Sequence, residues 1–317
     1  MLYLKPHHAH RSMGESIGAD FVELERGNPL KRIVAAKNLD LDNKPIITEG
    51  GKPLFQAVWM KFFGNCGPII HLAADETLPN IFDKYPHYKH HERFIHYLEH
   101  KYVDGVIGIS DKICESARRL GICNVQKTYP FTEEWKFEKL TDTTPNLDSD
   151  KILVVGHNSD KNNLQTLEEI AKSCSSEVSI DVIGGGTETL DSEHVQGHGF
   201  IGDEDRFVQF FSNASCFLFP AVSQMFGVVV LEAMHAGLPP IVTEDVGAKE
   251  VLSPVDDRLI AKTTPEDLAR SIDWYMSLPR SQKKSLSGQV RTVSKEHSPM
   301  EGIKRFEKSY ENVINDL

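Results

Sequence analysis

Residues 212–252 of the chain read SNASCFLFPAVSQMFGVVVLEAMHAGLPPIVTEDVGAKEVL, and their order describes a place where an anion can be held. Residues 216–219 are an apolar run suited to a buried strand, a loop opens at Pro220, and helical spacing begins at Gly227. Glycine there lets a ligand come close to the backbone. The amides of Phe226, Gly227 and Val228 have no acceptor within such a helix, so they and the helix dipole favour a phosphate. Glu232 lies further along the same helix, where a carboxylate accepts hydrogen bonds from vicinal hydroxyls such as those of a ribose. Gly237 supplies the C-cap.

Other short motifs fall near strand ends. Gly156-His157-Asn158-Ser159-Asp160-Lys161 follows an apolar strand, and a pyrophosphate needs a cation such as Lys161 beside helix-end amides. Gly184-Gly185-Gly186 ends a second strand in a tight turn. His71 and Ser110 each end an apolar run in the first half, at the carboxyl edge where ligands of parallel sheets sit. Met13-Gly14-Glu15-Ser16-Ile17-Gly18 follows the first strand. Its spacing is not that of a dinucleotide fingerprint, which gives a nicotinamide dehydrogenase no support.

The string Pro220, Phe226-Gly227, Glu232-Ala233-Met234, Ala236-Gly237, Pro239, Thr243, Gly247 and Glu250 resembles the retaining glycosyltransferases of family 4 (glycosyl transferases group 1), which have the GT-B fold. The likeness covers nearly all of residues 150–255; across the first half it rests on element order and a few strand-end residues. It implies a donor diphosphate held by the backbone of Met225, Phe226, Gly227 and Val228, by Gly156 and by Lys161, with Glu232 on the ribose. His157 stands where an arginine is more usual. Gly185 would lie near the nucleotide, Phe200 with Ile201 and Gly202 near its base, and Gly14 in a glycine-rich loop approaching the donor phosphate. His71 would stand near the transferred sugar.

One departure bears on the chemistry. The family has two glutamates eight residues apart, and the first falls on Gln224. An amide still hydrogen-bonds sugar hydroxyls, but it stabilises a developing oxocarbenium charge less well than an anion does. The catalytic set implied is therefore His71, Gln224 and Glu232. The activity implied is transfer from a nucleotide-diphosphate sugar to a hydroxyl of a glycan, a lipid-linked acceptor or a small molecule, with no metal ion or other cofactor. Gln224 and His157 in place of charged residues keep open a non-catalytic sugar-nucleotide-binding protein. A GT-B sugar-nucleotide epimerase is the other alternative.

These residues need a scaffold, and the chain alternates β-rich runs with helical ones, the pattern of parallel sheets covered on both faces. Strands are expected at 2–4, 21–24, 45–48, 68–72 and 105–110, with helices at 30–38, 54–63, 92–102 and 111–120. After a polar stretch at 141–150, strands are expected at 151–156, 178–183, 216–219 and 240–243, with helices at 163–173, 203–213, 227–236, 265–278 and 300–315. The fold expected is α/β: two doubly wound, Rossmann-like domains facing across a cleft. Their bounds are 1–145 on the acceptor side and 146–295 on the donor side, with a last helix, 296–317, packing back on the first domain.

Composition excludes several classes. A formal net charge of −11 argues against nucleic acid as the main partner. Five scattered cysteines without a C-x-x-C pair fit neither structural zinc nor a disulfide framework. No run approaches the ~20 apolar residues of a membrane span, so a cytoplasmic enzyme is expected, with the inner membrane surface as an alternative station. The apolar helix at 53–63, with Trp59, Lys61, Phe62 and Phe63, is expected as core, and peripheral membrane docking is its other use. His87, His90, His91, His96 and His100 surround one helix; they are expected as a solvated face rather than a metal site. Asp40-Leu41-Asp42 and Asp203-Glu204-Asp205 follow no strand end and are discounted as metal-binding motifs.

Overall fold

The computed structural model describes residues 1–3, 8–23, 43–63, 66–79 and 90–317. The expected helix at 30–38, Asp40-Leu41-Asp42, His87, and the strand ends at Leu4 and Leu24 lie outside them. The chain forms two compact units, Met1–Pro130 with Met300–Leu317, and Phe131–Pro299.

Unit 1 holds a six-stranded parallel sheet in the order β2-β1-β3-β4-β5-β6. Its strands are β1 (Leu2–Tyr3), β2 (Val22–Glu23), β3 (Ile46–Glu49), β4 (Ile69–Ala73), β5 (Gly105–Gly108) and β6 (Val125–Lys127). The helices are α1 (His8–Ser16), α2 (Gly51–Phe63), α3 (His90–Tyr102) and α4 (Asp111–Arg119). β3, β4 and β5 are mostly apolar and, Glu49 apart, buried, as strands covered on both faces must be. α2 divides by face: Leu54, Ala57, Val58 and Met60 are buried, whereas Trp59 and Phe62 are 38% and 61% exposed. The expectation of core thus holds for one face only.

Unit 2 repeats the architecture with β7 (Lys151–Val155), β8 (Ser179–Ile183), β9 (Val195–Gly197), β10 (Cys216–Phe219), β11 (Pro240–Thr243) and β12 (Ile260–Ala261). All are parallel, in the order β12-β11-β10-β7-β8-β9. Counted within the unit this is the 3-2-1-4-5-6 order, so the winding reverses between β7 and β10, where doubly wound sheets bind ligands. Its helices are α5 (Glu134–Thr141), α6 (Leu167–Ser173), α7 (Glu204–Asn213), α8 (Val228–His235), α9 (Lys249–Leu252), α10 (Pro265–Ser277) and α11 (Arg280–Ser294). α10 begins as its sequence requires: Thr264 Oγ1 accepts from the Asp267 amide at 3.2 Å, and Pro265 takes the first helical position.

The units divide after Pro130, ahead of the polar stretch at 141–150. α5 is the reason: it packs on α7 and α8, with Trp135 edge-on to Phe207 and Phe137 edge-on to His235. The final helix, α12 (Pro299–Asn315), is tied within unit 1, where Asn124 donates to the Val313 carbonyl at 2.8 Å and Ser309 to that of Lys127 at 2.9 Å. Among the described residues no helix is long and apolar enough to cross a membrane.

Candidate nucleotide-sugar site

The carboxyl ends of β7, β8 and β10 carry most of the residues singled out in the sequence, and backbone bonds lock their loops together. The Gly156 amide donates to Ile183 O at 3.0 Å, Asn158 N to Gly185 O at 3.0 Å, and Gly184 N to Gly199 O at 2.8 Å. A Cβ on Gly184, whose φ is +141°, would lie 2.2 Å from the Gly156 carbonyl oxygen. Glycine is therefore required for β7 and β8 to close on each other. His157 and Lys161 stand exposed on the loop after β7. Phe200 follows β9 and is 76% exposed, a free aromatic face.

The loop after β10 is fixed from two sides. Val222 N donates to Lys161 O at 2.9 Å, and Asn163 Nδ2 to Pro220 O at 3.3 Å. On the other side Gly247 N donates to Gln224 O at 2.9 Å and Ala248 N to Phe226 O at 2.8 Å. Gln224 Nε2 donates to Asn162 Oδ1 at 2.9 Å, and Asn162 Nδ2 donates to the His157 carbonyl at 2.8 Å. The Asn162 amide thereby engages the Gln224 nitrogen and leaves the Gln224 carbonyl oxygen to face other groups. Nothing in the spacing of the sequence pointed to Asn162.

Met225 and Phe226 are buried beneath this loop, and Gly227 caps α8 with φ +93° and ψ +73°. A Cβ there would meet Phe219 Cε1 at 2.8 Å, so both conformation and space select glycine. The amides of Gly227, Val228 and Val229 donate to no group among the described residues. A helix mouth with free donors, at the switch point of a parallel sheet, has the electrostatics of an anion site.

Glu232 sits one turn into α8, 3% exposed. Its Oε1 accepts from Lys136 Nζ of α5 at 2.8 Å, while Oε2 is buried without a hydrogen-bond partner among the described residues. Burial pushes this carboxyl above the ordinary glutamate value, and the Lys136 ammonium pulls it back. A buried acceptor left unpaired is costly unless something else fills it. Lys136 was not legible in the sequence, because α5 lies in a stretch without an apolar period.

Arg291 of α11 holds the two helices that carry this pair. Its guanidinium donates to the carbonyls of Thr141 and Thr143 at the end of α5, and to those of His235 and Ala236 at the end of α8. The carboxylates of Asp203-Glu204-Asp205 are spoken for: Asp203 caps α7, and Glu204 and Asp205 pair with Lys139.

In unit 1 two expectations change. Gly14 lies inside α1, not in a loop, and the space beside it is filled: a Cβ would meet Phe21 Cζ at 2.6 Å and Met1 Sδ at 3.1 Å. Ala9, His10 and Met13 give this helix a buried face, which explains why the segment coils. His71 is the third residue of β4, not its last, and is wholly buried. Its Nδ1 lies 2.7 Å from Glu99 Oε1 of α3, also wholly buried. Burial lowers the affinity of this imidazole for its proton, but Glu99 and then Asp75 outweigh it, and the net shift is upward. Ser110 caps α4 by position, with a buried Oγ that bonds nothing among the described residues. His96 and His100 do not converge, since their rings bond the carbonyls of Thr77 and Leu120 respectively.

Residues 136–289 match the family described as glycosyl transferases group 1. The match spans 154 of the 317 residues, just under half of the chain. Three solved structures resemble the chain over nearly its whole length. HepE of Anabaena in complex with UDP aligns with TM-score 0.71 at 14% identity, over 98% of this chain and 90% of that one. Sucrose-phosphate synthase of Thermosynechococcus elongatus gives 0.73 at 15%, over 94% and 84%. The lipopolysaccharide outer core galactosyltransferase WaaB gives 0.69 at 16%, over 95% and 85%. At such identities the likeness establishes the fold, GT-B, and the segment that matches the family lies wholly within unit 2. No curated protein matches the chain in sequence.

Proposed function

We propose that the chain is a retaining glycosyltransferase of family 4, moving a sugar from a nucleotide-diphosphate donor to a hydroxyl acceptor without a metal ion. The observation that carries this reading is the pairing of free amides at Gly227, Val228 and Val229 with the unpartnered, buried Oε2 of Glu232 on the same helix. One end takes a phosphate and the other takes a ribose hydroxyl. Lys161, exposed on the neighbouring loop, supplies a cation to the diphosphate. Phe200 offers a ring to the base. Gln224 presents an acceptor to the sugar, in keeping with front-face displacement, in which no carboxylate attacks. The HepE structures with UDP and with UDP-glucose support a nucleotide-sugar donor of this class. On the acceptor side, the exposed rings of Trp59, Phe62, Phe94 and Tyr97 in unit 1 favour an acceptor with an apolar part, such as a lipid-linked sugar.

The test is incubation of the full chain with labelled UDP-, GDP- and ADP-sugars and with glycan, lipid-linked and small-hydroxyl acceptors. Transfer with the donor's anomeric configuration kept, read by proton NMR of the product, is the expected outcome. Binding with neither transfer nor hydrolysis across the panel would instead make the chain a sugar-nucleotide-binding protein. Conversion of the donor without any acceptor would make it an epimerase.

A further inference from the structure

Resting on the ribose-anchoring role given to Glu232, we propose that Lys136 is a positioning residue for the nucleotide: its ammonium engages one oxygen of the Glu232 carboxylate and aims the group, so that Oε2 is kept for the ribose hydroxyls. The argument is geometric. Lys136 Nζ lies 2.8 Å from Oε1 and bonds that oxygen alone, so the other is left as an acceptor inside the unit. The ammonium is itself confined. It lies 5.7 Å from the Trp135 ring centroid and 5.1 Å from that of Phe207, and its side chain is 20% exposed. A lysine boxed by two aromatic faces has few rotamers to lose, and the pair costs little entropy to form.

Among the described residues of unit 2, the charges around Glu232 leave Lys136 no substitute. Glu133, on the same side, opposes ionisation, and it lies 3.9 Å from the Lys136 ammonium. From α11, Arg291 is committed to four carbonyls and Lys283 lies over the Tyr275 ring. His235, one turn along α8, is pushed down to about 3 by burial, then by His297 and Arg291, and stays neutral. β10 and β11, which α8 also touches, present no charged side chain. Removing Lys136 takes away the charge that favours the ionised form of Glu232, which burial and Glu133 oppose. A protonated acid donates where the diol needs an acceptor.

The experiment measures UDP affinity of the full chain by calorimetry from pH 6 to 9, in wild type, Lys136→Met, Lys136→Arg and Glu232→Gln. Lys136→Met should weaken UDP about tenfold or more near pH 7 and recover affinity as pH rises, since each unit of upward shift costs about tenfold in ionised carboxylate. Lys136→Arg should stay within about threefold of wild type, because it keeps the charge. Carbon-13 NMR of labelled glutamate should show the Glu232 carboxyl titrating at higher pH in Lys136→Met. A loss in Lys136→Met that is equal at every pH, or no loss, overturns the role of Lys136 while leaving the ribose anchor standing. Unchanged affinity in Glu232→Gln, or no binding of UDP, GDP or ADP by wild type, removes the anchor itself, and the role of Lys136 with it.

Discussion

Glu232→Gln is expected to lower nucleotide affinity by about 10- to 150-fold, the roughly 1.5–3 kcal/mol of a hydrogen bond to a charged group, with the fold of unit 2 intact. Glutamine has nearly the same shape, and its carbonyl can still accept from Lys136. What it loses is the second acceptor. Oε2 is the atom left unpartnered in the buried site, and an NH2 group in its place donates toward hydroxyls that must themselves donate. Lys136 keeps company with the Trp135 and Phe207 rings and is partly solvated, so no deeply buried charge is stranded. Calorimetric titration with UDP, beside thermal unfolding, separates the two effects. Equal affinity in the two proteins would mean that the pentose is gripped elsewhere.

His71→Leu should cost unit 1 about 3–5 kcal/mol, because it leaves the Glu99 carboxyl buried without its partner. Replacing both residues, as His71→Leu with Glu99→Met, should restore most of the loss, since an apolar pair of similar volume is often as stable as a buried ion pair. The pH dependence has a definite sign. The folded imidazole binds its proton more tightly than the unfolded one, whose value is about 6.5. The stabilisation is therefore complete below about pH 6.5 and fades as pH rises through the higher folded value. Hydrogen exchange of the β4 amides, near pH 6 and near pH 9, reads the difference. A single variant as stable as wild type near pH 6 would show that the pair contributes nothing.

Much of this architecture was legible in residues alone. Long apolar runs such as those of β4, β7 and β10 announce themselves because both faces of the sheet are covered. β6, β9 and β12 did not, for they are edge strands of two or three residues that need only one neighbour. α11 escaped for a related reason: its buried side includes Lys283, Ser287 and Ser294, which carry no apolar period. In the site, Gly227 and Glu232 were readable because local chemistry dictates them. Lys136, Asn162 and Arg291 were not, since their partners lie 96, 62 and about 56 or 150 residues away in the chain. His71 was misplaced by the assumption that a residue near the end of a strand faces open space, and Gly14 by the glycine-rich loop that the resemblance implied. Packing decided otherwise in both.

The position of α5 ahead of the first strand of its unit has a practical meaning for anyone who would excise the nucleotide-binding half. A fragment begun at residue 146, where the polar stretch invites a cut, would omit Trp135, Lys136 and Phe137. It would take Trp135 from the Phe207 ring and Phe137 from that of His235, and deprive the Arg291 fork of two of its four oxygens. Glu232 would remain on its helix, ungoverned. A fragment begun at Phe131 carries the whole apparatus with it.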